Sequence, residues 1–224
     1  MTAQSTLQRA GAEALGTGLL LCAVVGSGIM GDRLSGGNVG LALLANSIAT
    51  GCALYVLILA LGPISGAHFN PCVTLATAWR GDLPWRETPA FLVAQVGGAF
   101  CGVALAGAMF GGPLFSSSQH ARAGAGQMLG EFVACFGLLV VIFGVARRQD
   151  GLVAPAVAAY ITSAYWFTSS TSFANPAVTL ARSATDTFAG IRPSDVPGFI
   201  LAQALGAAAA TAFAQWMFPR RRAG

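Results

Sequence analysis

The stretch Phe69-Asn70-Pro71-Cys72-Val73-Thr74-Leu75-Ala76 decides the fold, because the chain writes it twice. Its second copy is Ala174-Asn175-Pro176-Ala177-Val178-Thr179-Leu180-Ala181, 105 residues further on. From the asparagine onward the two differ only at Cys72 against Ala177. Asn is a strong N-cap, and Pro fits the first turn of a helix, where its missing N–H costs nothing. Each stretch therefore predicts a capped helix start. Polar breakers end each helix early, at Arg80-Gly81-Asp82 and Ser183-Ala184-Thr185-Asp186. Both segments are too apolar for solvated loops. They read as re-entrant half-helices, which a bilayer tolerates only when they are buried in protein or line a cavity. A lone Asn-Pro is more simply an ordinary cap in a loop; two at matching positions are not.

The surroundings fit a membrane protein. The chain of 224 residues is 55% apolar and 9% charged, with 29 Gly. Its mean hydropathy is +0.67. Such a composition excludes an ordinary soluble domain. The net charge of +4 comes from arginines in polar gaps, with no basic stripe for nucleic acid. Five cysteines (22, 52, 72, 101, 135) lie in apolar runs at unpaired spacings, so no disulfide framework is expected.

Six apolar runs long enough to span a bilayer are expected at about 10–30, 39–61, 88–110, 125–146, 152–171 and 195–218. The first contains Glu13 and is read as a retained span, not a cleaved leader. With six spans both termini share a side. That side holds Arg9, Arg80, Arg86, Arg147, Arg148, Arg220, Arg221 and Arg222; the other holds Arg33, Arg122, Arg182 and Arg192. The positive-inside bias then places both termini in the cytoplasm. Trp79, Trp85, Trp166 and Trp216 fall near span ends, as interfacial anchors do.

The repeat runs beyond the Asn-Pro stretches. Phe91 to Ala99 matches Phe199 to Ala207 at Phe, Ala, Gln, Gly and Ala, and spans one and four each carry one acid, Glu13 and Glu131. Halves of about 1–112 and 124–224, with three spans each, have opposite topology in the bilayer. One all-α channel domain over 1–224 is expected, because neither half can bury its faces alone. Opposed half-helices would meet N-terminus to N-terminus, where each carries about half a positive charge. Asn70 and Asn175 offer donors there. Unwound backbone at Gly66, Ala67 and His68, and at Ser172, Phe173 and Ala174, offers carbonyl acceptors. Small uncharged polar solutes suit such a path. Glu13 and Glu131 are costly in lipid and need a role. One role is proton relay in a secondary transporter. The other, favoured by their symmetric placement, is support of the half-helices.

The doubled motif, with Ser65-Gly66-Ala67-His68-Phe69-Asn70-Pro71-Cys72-Val73-Thr74 and the two span glutamates, resembles the major intrinsic protein family of aquaporins and aquaglyceroporins. The resemblance implies six transmembrane helices plus two half-helices, a passive channel without enzymatic activity, and a homotetramer in the cell membrane. It calls for no cofactor or metal. It also implies the scaffolding role for the glutamates, and a selectivity ring at Thr50, Ser163, Ser172 and Val178. Most members carry Arg where this chain has Val178, and Asp where glycerol-type members continue and this chain has Thr179. A wider, neutral ring is expected, suited to water, glycerol-like polyols and undissociated arsenous acid. The run Asn175 to Ile191 is similar to bacterial metalloid channels.

Arg182, four residues beyond Val178, is expected either to charge the outer vestibule or to pair with Asp186. Cys72, in the first helical turn, is either a water-reached thiol that blocks the pore on binding soft metals or a packing residue. A structural membrane protein with a closed pore is a further alternative, separated from a channel by vesicle swelling in a solute gradient.

Overall fold

The computed structural model describes residues 4–147 and 150–218; Arg148 and Arg220 to Arg222, used above for orientation, lie outside them. Among the described residues eight α-helices appear in order: α1 Thr6–Leu34, α2 Val39–Ser65, α3 Pro71–Trp79, α4 Thr88–Met109, α5 Ala125–Ala146, α6 Val153–Phe167, α7 Pro176–Arg182 and α8 Val196–Met217. No strand occurs among the described residues.

Local chemistry sets the helix ends. Ser5 and Gln8 form a reciprocal capping box at the start of α1. Asn38 caps α2. Gly66, at φ 92°, ends α2 in the left-handed conformation that glycine adopts without strain. Asn70 caps α3 and Asn175 caps α7, each followed by proline.

Among the described residues, five helices are long and apolar enough to cross a membrane: α1, α2, α4, α5 and the segment Pro193–Met217, which contains α8. The fifth expected span, 152–171, forms only the 15 residues of α6. At 1.5 Å per residue, 15 residues cover about 23 Å of a hydrocarbon core about 30 Å thick. Thr168 to Ala174 leave the helix and run without regular structure to Asn175.

The packing repeats itself. α1 lies against α2 and α4 as α5 lies against α6 and α8, and α2 crosses α6 to join the halves. Glycines set the closest approaches. A Cβ on Gly98 of α4 would lie 2.2 Å from the Ala14 carbonyl oxygen of α1. One on Gly206 of α8 would lie 2.4 Å from that of Phe132 in α5. Small residues let helix backbones touch where lipid supplies no hydrophobic drive. α3 and α7 occupy the middle, each touching both α4 and α8. The four tryptophans are half-exposed or more, at or near helix ends.

Candidate functional site

The two short helices meet tip to tip. Asn70 Nδ2 donates to the Ala174 carbonyl at 2.8 Å, and Asn175 Nδ2 donates to the Phe69 carbonyl at 2.7 Å. Each Oδ1 caps its own helix, accepting from Cys72 N at 2.9 Å or from Ala177 N at 3.0 Å and Val178 N at 3.3 Å. An amide NH2 carries two hydrogens. One N–H of each asparagine is thus used to lock the halves together, and one is left. Both asparagines, each 5% exposed, line a single cavity of about 670 Å³. Its wall runs from Thr77, Asp82 and Gly151 at one end to Thr50, Tyr165 and Arg182 at the other.

The backbone before each tip is held by a buried carboxylate. Glu13 accepts from His68 N at 3.0 Å, Phe69 N at 2.7 Å, Ser65 Oγ at 2.6 Å and Gln95 Nε2 at 2.8 Å. Glu131 accepts from Phe173 N and Ala174 N, each at 2.8 Å, and from Gln203 Nε2 at 2.5 Å. In a trans peptide the C=O points opposite to the N–H, and no peptide here is cis. The carbonyls of Ala67 and His68, and of Ser172 and Phe173, therefore turn away from the carboxylates, and these residues line the cavity. The geometry needs left-handed backbone at Ala67, Phe69, Thr171, Ser172 and Ala174, with φ between 49° and 61°. Such strain persists only where surrounding bonds over-determine it. Gly66 also lines the cavity; the Ala174 carbonyl is engaged by Asn70.

Neither glutamate lines the cavity, and both are fully buried. Gln95 and Gln203 tie them onward to Thr74 and Thr179, each at 2.8 Å. These four residues escaped the reading of the sequence as site residues. The signal was present, since Gln95 matches Gln203 and Thr74 matches Thr179 in the repeat.

The residues expected to form a ring are brought together in part. Thr50, Ser172 and Val178 line the cavity. Ser163 does not: it is exposed on the outer face of α6, and its hydroxyl donates to the Tyr160 carbonyl at 2.7 Å. Tyr165, two residues on, takes the place, with its hydroxyl 3.1 Å from Thr50 Oγ1. Two residues rotate a helix by about 200°, so a register error of two puts the residue on the opposite face. The cavity wall beside Thr50 is therefore not made of small residues alone. Arg182 also lines this cavity and makes no ion pair with Asp186, whose carboxylate accepts from Gln119 N at 2.9 Å. Cys72 is 3% exposed and absent from the cavity wall, in the packing position that Ala177 fills in the other half.

The family profile described as "Major intrinsic protein" matches residues 1–169. The chain belongs to the major intrinsic protein family. Members of this family are channels and not enzymes, so this major intrinsic protein is a multi-pass membrane channel. It is 54% identical over 215 residues to Aquaglyceroporin AqpS of Rhizobium meliloti (strain 1021), covering 96% of this chain and 92% of that one. It is 37% identical over 150 residues to Aquaporin NIP1-3 of Oryza sativa subsp. japonica, spanning half the length of that relative. The aquaglyceroporin structure from Plasmodium falciparum superposes with a TM-score of 0.76 at 20% identity, over 94% of this chain and 96% of that one. That likeness establishes the shared fold.

Proposed function

We propose that this aquaglyceroporin-type channel passes small uncharged hydroxylated solutes down their gradients: water, glycerol-like polyols and undissociated arsenous acid. The observation that carries the reading is the pair of crossed asparagine bonds on the wall of one cavity. Two helix N-termini meet there, and their summed positive ends disfavour a desolvated cation. A neutral solute carries no net charge for that field to repel. It exchanges its water for two amide donors and the carbonyls of Ala67, His68, Ser172 and Phe173, while apolar side chains keep it from binding tightly. Thr50, Tyr165, Ser172 and Val178 form the size-selecting ring, and Arg182 lies on the vestibule side of it.

The two halves, about 1–112 and 124–224, act as one inverted-repeat channel domain. Copies assemble as a homotetramer in the cell membrane with both termini cytoplasmic. A proton-coupled transporter is disfavoured because Glu13 and Glu131 are each occupied in holding the backbone of a half-helix tip and lie off the wall of the cavity. Stopped-flow permeation of proteoliposomes tests the reading with water, glycerol, urea and arsenous acid. Glycerol and arsenous acid are expected to enter at least about fivefold faster than into empty vesicles. Rates equal to those of empty vesicles for every solute would leave a closed structural protein.

A further inference from the structure

Val178 brings no charge to the cavity wall, yet two buried guanidinium groups stand close by. Arg182 follows Val178 by four residues in α7, on the same face and about 6 Å further along. It is 2% exposed and lines the cavity with Ser172 and Tyr165. Its Nε donates to the Ala189 carbonyl, and its guanidinium carbon lies 3.4 Å from the centre of the Phe173 ring. Among the described residues, no carboxylate lies within ion-pair distance of it, and neither Nη nitrogen has a hydrogen-bond acceptor. Beside it, the Ser172 hydroxyl is buried without a partner.

The second guanidinium comes from the connection between the halves. Arg122, 8% exposed, stacks on the same Phe173 ring at 4.9 Å. Its Nε donates to the Gly190 carbonyl at 2.8 Å and its Nη2 to the Phe188 carbonyl at 3.5 Å. The carbonyls of three consecutive residues, 188 to 190, thus hold both arginines: Arg122 takes the outer two and leaves the middle one to Arg182. Gly190 allows this loop its position, since a Cβ there would lie 2.3 Å from Ser118 Oγ and 2.5 Å from the Thr185 carbonyl. Burial lowers the Arg122 guanidinium to about 10, which leaves it charged at neutral pH.

The geometry points to Arg182 as the charged specificity residue of this channel, with Arg122 as its positioning residue. The pair supplies, from one helical turn beyond Val178, the positive field that keeps cations out. Charge unpaired with any carboxylate and open to the cavity projects its field into the path of the solute. The inference rests on the cavity being the conduction path. Its sequence signal is the spacing of Arg182 from Val178; Arg122 gives no local signal, because its partners lie 48 to 68 residues away.

The test reconstitutes the full-length protein and reads two permeabilities, glycerol by light scattering and potassium by an entrapped dye. Wild type is expected to pass glycerol and hold potassium out. Arg182→Val is expected to raise the potassium-to-glycerol ratio about tenfold, and Arg182→Lys to keep it low. Arg122→Gln is expected to raise the ratio about threefold, with Arg122→Lys restoring it in part, which a merely structural role would not do. Should Arg182→Val fail to reconstitute, Arg182→Gln, which keeps a donor for Ala189, is read in its place. Glycerol flux with potassium still excluded in Arg182→Val, or in Arg182→Gln where that is read in its place, overturns the proposal alone. A wild type that passes neither overturns the conduction reading beneath it.

Discussion

Glu131 accepts two backbone N–H groups and one amide in a site without water access. Removing it leaves Phe173 N and Ala174 N without an acceptor at a place where the backbone is already left-handed. Each orphaned donor costs about 1–3 kcal/mol. Glu131→Ala is therefore expected to lower stability by on the order of 3 kcal/mol, read as a lowered unfolding midpoint in detergent, and Glu13→Ala to behave alike. Cys72→Ala should be close to neutral in both midpoint and glycerol flux, because the other half already carries Ala177 at that place. Val178→Arg puts a new guanidinium one turn from Arg182 and narrows the same ring. Glycerol flux should fall by about tenfold or more and water flux by less, since size and charge penalise the larger solute first. Stopped-flow rates for the two solutes check it.

At the scale of elements, what the sequence revealed is what local chemistry controls. Asn-Pro pairs announce helix starts, so both short helices were legible from Asn70-Pro71 and Asn175-Pro176. Long apolar runs announce spans, and the helices were legible to within a few residues of most ends. Hydropathy does not distinguish helix from unwound apolar chain, so the apolar run reaches 171 although α6 stops at Phe167. Helix rotation is equally hidden. Ser163 and Tyr165 differ by two positions, and only packing against α2, where Tyr165 meets Thr50, fixes which one faces inward. The glycine contacts follow the same logic. Gly98 and Gly206 occupy matching repeat positions, and each would drive a Cβ into a carbonyl oxygen of the neighbouring backbone. Backbone cannot step aside as a side chain can, so Gly98→Val and Gly206→Val are each expected to cost several kcal/mol, about 3 or more. The yield of monodisperse protein after detergent extraction, with the midpoint of unfolding, measures it; Gly97→Ala, with nothing within 4 Å of its Cβ, is the control.

For the whole molecule, the decisive matter is whether solute movement is tied to any other gradient. Coupling requires two global states and a group that binds the driving ion differently in each. In this structure the two halves are locked at their centre by Asn70 and Asn175, each bonded to the opposite half's backbone. Rocking one half against the other would break both of these bonds, which cross between the halves, while Glu13 and Glu131 each hold backbone of their own half. The buried acids, the natural seats for a driving proton, are each engaged by backbone and side-chain donors and lie off the cavity wall. Uptake of labelled glycerol into proteoliposomes should therefore level off at equal concentrations inside and out. Imposing a proton gradient of either sign should change neither that plateau nor the initial rate by more than about a tenth. Accumulation above equality under an inward proton gradient, abolished by a protonophore, would mean that the central lock opens and that Glu13 or Glu131 titrates during transport.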